Sequence, residues 1–87
     1  MGDHNNATNY YKEGIANLRK AGTDSLQLAS ALLNAGDEFF NNEKYDEAMS
    51  YFYESSLIFN KKNYNIGKAY NQGNIGMVYA KQGKHDL

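Results

Sequence analysis

Four stretches of the chain place apolar residues at helical spacing, separated by short polar segments. In the first, Tyr11, Ile15 and Leu18 fall at i, i+4 and i+7, one stripe of a 3.6-residue helix. Gly22 supplies a stop and Thr23-Asp24 a new start. Asp24 is placed to accept from the amides of the following turn as an N-cap, with Gln27 in the capping-box position, and the second helix is expected from about Ser25 to Asn41. "NNEK" then makes a tight turn. A third helix begins near Tyr45, with Asp46 and Glu47 at its positive end and Lys61, Lys62 and Asn63 suited to its C-terminus. Its buried stripe reads Ala48, Phe52, Ser55 and Phe59. The fourth helix covers roughly Ile66 to Gln82 and stops at Gly83. Connections this short force sequential helices to lie antiparallel. The expected fold class is therefore all-α, about four antiparallel helices in helical hairpin repeats.

The chain also repeats itself. A shift of forty lays "ASALLNAGDEFFNNEKYD" (Ala29 to Asp46) over "AYNQGNIGMVYAKQGKHD" (Ala69 to Asp86). Ala29/Ala69, Asn34/Asn74, Gly36/Gly76, Lys44/Lys84 and Asp46/Asp86 are identical, and Phe39/Tyr79 and Tyr45/His85 pair ring with ring. A glycine inside a helix costs about 1 kcal/mol relative to alanine, so the same glycine in both copies, three residues before an aromatic, predicts close helix contact at 36 and 76.

These residues resemble the tetratricopeptide repeat family, in its forty-residue-period subtype. Leu32-x-x-Ala35-Gly36-x-x-Phe39 matches the first half of that family's motif, Tyr45-Asp46-Glu47-Ala48-x-x-x-Phe52 the second half, and Gln72-x-x-Ile75-Gly76-x-x-Tyr79 the first half again. Ala7, Tyr11 and Gly14 look like a degenerate preceding second helix, at a shift of forty-one. The expected organisation is a flexible tail over 1–6 and a single domain over 7–87. Within that domain, 7–22 is a preceding or capping helix, 25–63 the first repeat and 65–87 an incomplete second repeat. The usual unit is thirty-four residues and ends near a proline, whereas this one is longer and has none. Gln72 also replaces a large apolar residue.

The resemblance implies a noncatalytic scaffold for protein–protein interaction, taking a peptide or protein segment in a groove lined by first helices. On that pattern the partner-binding positions are Leu33, Asn34, Asp37, Phe40 and Asn41 in one unit, and Tyr70, Asn74, Met77 and Lys81 in the next, with Ser30, Gly73 and Ala80 beside them. The family's clamp for C-terminal carboxylates is matched only at Asn74, and Asp37 favours a basic or neutral peptide instead. Two further readings follow the same resemblance: an N-terminal regulatory segment of a larger signalling enzyme, such as a sensor kinase or nucleotide cyclase, and a homo-oligomerisation module. A repeat unit cannot bury its apolar stripe alone. The last helix is expected to offer Ile75, Val78 and Tyr79 to a neighbour, with Lys84-His85-Asp86-Leu87 where a further helix would open. The first expectation is a longer array, the second a homodimer through the exposed last helix, the third a self-sufficient monomer.

Composition narrows the chemistry. Eighty-seven residues at 41% hydrophobic and a mean hydropathy of -0.77 allow one thin core, in which eight Tyr outnumber four Phe. No cysteine is present, which removes disulfides and thiolate metal sites. A net charge of -1, with no basic run longer than Lys61-Lys62, argues against nucleic acid. No stretch is long and apolar enough for a bilayer or a secretory leader, so a cytoplasmic location and no membrane are expected. His4 and His85 are too far apart to suggest a metal pair. Asp37-Glu38 and Asp46-Glu47 diverge by about 100° on a helix, which disfavours paired acid–base work. Gly76 to Lys84 has the wrong spacing for a phosphate loop, and His85 stands where Ser or Thr is needed. The serines at 30, 50, 55 and 56 have no histidine within helical reach. No enzyme, cofactor or metal is expected.

Overall fold

The computed structural model describes residues 2–22 and 24–83, with side chains from residue 7 onward. Four helices follow one another: α1 (Gly2–Ala21), α2 (Leu26–Asn41), α3 (Tyr45–Lys61) and α4 (Asn65–Lys81), with no strand among the described residues. This is the all-α hairpin architecture expected from the periodicity. Met1, Thr23 and the Lys84 to Leu87 segment lie outside the described residues. The stretch expected as a tail is helical from Gly2. It contains no proline, and it continues a helix anchored downstream by the buried Thr8 and Ile15.

The helix ends explain the forty-residue period. Glu43 (φ 62°), Asn63 (φ 55°) and Gly83 (φ 74°) all adopt the left-handed conformation, at twenty-residue intervals. After α2, the Lys44 amide donates to Phe39 O at 2.9 Å and the Glu43 amide to Phe40 O at 2.9 Å; after α3, Tyr64 donates to Phe59 O at 2.9 Å and Asn63 to Asn60 O at 3.1 Å. These are Schellman closures, which satisfy the last carbonyls of a helix and turn the chain sharply. One helix plus one such turn spans twenty residues, so a hairpin spans forty.

The cap of α2 is Ser25, not Asp24. Ser25 is extended (φ -83°, ψ 154°) and its hydroxyl accepts from the Leu28 amide at 3.0 Å. Because the helix opens one residue later than the spacing implied, Asp24 instead accepts from Lys61 Nζ at 3.1 Å, and that cation holds its carboxyl below the usual carboxylate range. Ser25→Ala should lower the unfolding free energy by about 1 kcal/mol, read as a lower urea midpoint at unchanged m. Asp24→Ala should move that midpoint far less, because the ion pair is exposed.

Packing pairs run in opposite directions along neighbouring helices. Between α2 and α3, Phe39 stacks on Tyr51 with centroids 5.1 Å apart, Gly36 faces Phe52, and Ser55 bonds Ala29 O at 2.7 Å. Between α3 and α4, Phe59 lies on Gly67, Ser55 accepts from Asn71 at 3.0 Å, and Val78 joins the cluster of Phe39, Ala48 and Phe52. The whole stripe Ala48, Phe52, Ser55 and Phe59 is buried. A second cluster, Ile15, Leu28, Ala29, Leu32, Ala35, Ile58 and Phe59, joins α1 to the first hairpin. Two antiparallel steps leave α2 and α4 parallel, side by side, in a slab of 38 × 36 × 16 Å.

Two expectations are corrected here. Gly36 is buried, and a Cβ added to it would sit 2.5 Å from the Phe52 ring, but Gly76 is exposed with nothing within 4 Å. The repeat glycine faces the second helix of its own hairpin, and for α4 no such helix is among the described residues. Val78, expected to be offered to a neighbour, is fully buried against Phe52 and its surroundings. Ile75 is partly packed beside it, and Tyr79 exchanges a hydroxyl hydrogen bond of 2.8 Å with Tyr53. The apolar side chains that α4 leaves most open are Ile66, Tyr70 and Met77, one stripe at i, i+4 and i+11.

Candidate functional site

The parallel pair α2 and α4, with α3 behind them, encloses a hollow of about 240 Å³. α2 contributes Ser30, Leu33, Asn34 and Asp37 at i, i+3, i+4 and i+7, a single helical face. α4 contributes Ile66, Gly67 and Tyr70, and the Phe59 and Tyr64 rings, stacked at 5.4 Å, close the end of the hollow near the α3–α4 turn. Gly67 controls how closely α4 approaches. A Cβ there would come within 2.6 Å of the Phe59 ring, so a larger residue would push α4 outward and widen the groove.

One wall is apolar and wet: Ile66 is 73% and Tyr70 60% exposed. The other carries a charge. Asp37 is half-buried, burial alone pushes its carboxyl pKa above the ordinary value, and among the described residues no cation pairs with it. The groove thus offers an apolar shelf beside an uncompensated, partly desolvated carboxylate.

Of the positions expected to bind a partner, Leu33, Asn34, Asp37 and Tyr70 come together on this hollow. Met77 is exposed two turns beyond Tyr70 on the same face of α4, while Asn41 and Lys81 are exposed at helix C-termini and do not line it. Phe40 is half-buried, edge-on to Tyr45 at 5.5 Å. Asn74 does not line the hollow: it is 8% exposed and its amide donates to Asn71 Oδ1 at 3.5 Å. The 3.6-residue period groups it with Gly67, Asn71 and Val78 on the buried face of α4. Sequence reasoning missed Phe59, Tyr64, Ile66 and Gly67. The available signal was a glycine near a helix start, eight residues after an aromatic.

A larger hollow of about 340 Å³ lies at the start of α3, lined by Glu43, Lys44, Tyr45, Asp46, Glu47 and Gln82. It is a charged turn surface, bridged by Gln82 Nε2 donating to Asp46 at 3.1 Å. Among the described residues, no group of three or more His, Cys, Asp and Glu side chains could hold a metal ion, and no helix is long and apolar enough to cross a membrane.

With this geometry in place, comparison with known proteins is informative. Residues 29–58 match the family model described as tetratricopeptide repeat. The α2–α3 hairpin is similar to a tetratricopeptide repeat. The matched segment spans α2 from Ala29 and most of α3, the hairpin that holds the Gly36–Phe52 contact and the α2 wall of the groove. Tetratricopeptide repeats are scaffolds for protein–protein interaction and in general noncatalytic. No curated protein and no solved structure matches the chain.

Proposed function

We propose that the α2/α4 groove of this tetratricopeptide repeat protein holds a segment of another protein, with an apolar side chain on Leu33, Ile66 and Tyr70 and a Lys or Arg against Asp37. The observation that carries this reading is Asp37 itself. A carboxylate whose pKa is raised in the fold is one whose ionised form the fold disfavours. Stability is therefore lost as pH rises from the unfolded-state pKa through the higher folded-state value, and the loss persists at neutral pH. A bound cation would offset it, and the neighbouring apolar shelf supplies area to bury.

The expectation is an opposite response of stability and binding. Asp37→Asn should raise the melting temperature at pH 7 with no such gain at pH 3, while weakening peptide capture. Panning a displayed library of random peptides on the chain should enrich sequences with a basic residue near an apolar one. Asp37→Lys should abolish that enrichment. Enrichment of acidic peptides, or equal capture by the Asp37→Lys chain, would place binding elsewhere.

A further inference from the structure

We infer that α4 of one chain receives α1 of a second copy, so that the repeat continues head to tail between molecules through a surface separate from the groove. The first support is that α1 already behaves as a second helix of a hairpin. α1 packs on α2 in the register in which α3 packs on α4: Lys12 lies over the Phe39 ring at 5.5 Å where Tyr53 bonds Tyr79, and these pairs are related by forty-one positions in the second helices and forty in the first. A helix of this kind holds two neighbours, one on each side. α3 has both, α2 and α4. α1 packs chiefly on α2 and α4 chiefly on α3, each with its other side open among the described residues.

The second support is that the two open sides fit residue by residue. Transferring the α2/α3 contacts by the same shifts predicts what α4 and a second copy's α1 would bring together. The Phe52 ring over Gly36 becomes Tyr11 over Gly76, which is exposed and, like Gly14, Gly22, Gly73 and Gly83, would place a Cβ with nothing within 4 Å. The Phe39–Tyr51 stack becomes Tyr79 on Tyr10, and Tyr10 is 75% exposed. The core positions Leu32 and Ile58 become Gln72 and Asn17, which are both exposed and both polar, so the departure from apolar on one side is matched by one on the other. Two amides can hydrogen-bond where two aliphatic groups packed. An exposed glycine on α4 and the mostly exposed Tyr10 ring on α1, in the same register, are what an interface leaves on separated partners. Because the two faces differ, the contact is heterologous and adds copies in a ring or filament.

Sedimentation equilibrium of the whole chain tests this. The weight-average mass should rise with concentration and pass that of a dimer. Gly76→Leu fills the notch at an exposed position where a Cβ meets nothing within 4 Å, and Tyr10→Glu alters a side chain that is mostly in water, so both chains should keep their helical content by circular dichroism. Each variant alone should self-associate at least about tenfold more weakly. Mixed in equal amounts, the intact α1 of the first and the intact α4 of the second should form a one-to-one dimer that grows no further. A parent chain that stays monomeric across the range, either variant associating as the parent does, or a mixture without dimer overturns the inference. A symmetric α4–α4 dimer would reveal itself as Tyr10→Glu chains that still pair.

Discussion

Phe52→Ala should lower the unfolding free energy by about 3–5 kcal/mol, the range for deleting a buried ring whose cavity cannot collapse. The Phe52 ring is 1% exposed, packs with Phe39, Ala48 and Val78, and covers Gly36. It therefore ties α2 and α3 together and belongs to the cluster on which Val78 of α4 packs. Domains in general are stable by only about 5–15 kcal/mol, and small ones sit at the low end. A thermal melt followed by circular dichroism should show the variant largely unfolded at 37 °C.

The same ring makes the Gly36 contact measurable. Gly36→Ala gains up to about 1 kcal/mol of helix propensity but forces a Cβ 2.5 Å from a ring that cannot retreat, and overpacking of this kind costs about 1–3 kcal/mol. Its net effect in the parent should be destabilising. In the Phe52→Ala background the ring is gone, and Gly36→Ala should become stabilising. A change of sign between backgrounds is direct evidence of the contact. Equal destabilisation in both would mean that Gly36 is required for another reason.

Ser55→Ala should cost about 1–3 kcal/mol through the amide it strands rather than the hydroxyl it removes. Ser55 Oγ donates to Ala29 O at 2.7 Å and accepts from Asn71 Nδ2 at 3.0 Å, and neither Ser55 nor Asn71 has any exposed surface. This chain of bonds runs from the α2 backbone through α3 to α4 and fixes the spacing of the two groove walls. Without the hydroxyl, the Asn71 amide loses its bond to Ser55 inside the slab. The double change Ser55→Ala with Asn71→Leu removes donor and acceptor together, and should be less destabilising than Ser55→Ala alone. Hydrogen exchange gives a second readout. Ser55→Ala should speed exchange in α4 more than in α2 or α3, because α4 is held chiefly from the α3 side. Uniform acceleration across the three helices would contradict the network's role in seating α4.

The two glycines show where reading the chain succeeded and where it stopped. The forty-residue shift identifies positions 36 and 76 as equivalent, and equivalence in sequence is real: both lie in first helices, three residues before an aromatic. Equivalence in environment is not, since Gly36 meets Phe52 and Gly76 meets nothing within 4 Å. Asn34 and Asn74 diverge in the same way. One lines the groove, whereas the other is buried on the seam with α3. A repeat pattern records what a position would contact within a continuous stack, not which neighbours are present.

Other features depended on contacts remote in the chain. Asp37 was legible as an acidic groove residue from its helical register, but its half-buried, unpaired state depends on how α2 is packed. The Phe59, Tyr64 and Gly67 end of the hollow arises because the α3–α4 turn folds a ring onto a helix start. Ser55 is the one polar residue of its expected buried stripe, and it is a junction between helices only because Asn71 lies opposite it, sixteen residues away.

By itself, then, the sequence determined the four helices, their turns, the hairpin order and the forty-residue period, because helix periodicity, capping and short connections act over a few residues. Tertiary structure alone decided which glycine is filled, which asparagine is buried and which apolar stripe of α4 stays in water. Those outcomes depend on which surfaces meet across the slab, and that is set by packing between residues far apart in the chain.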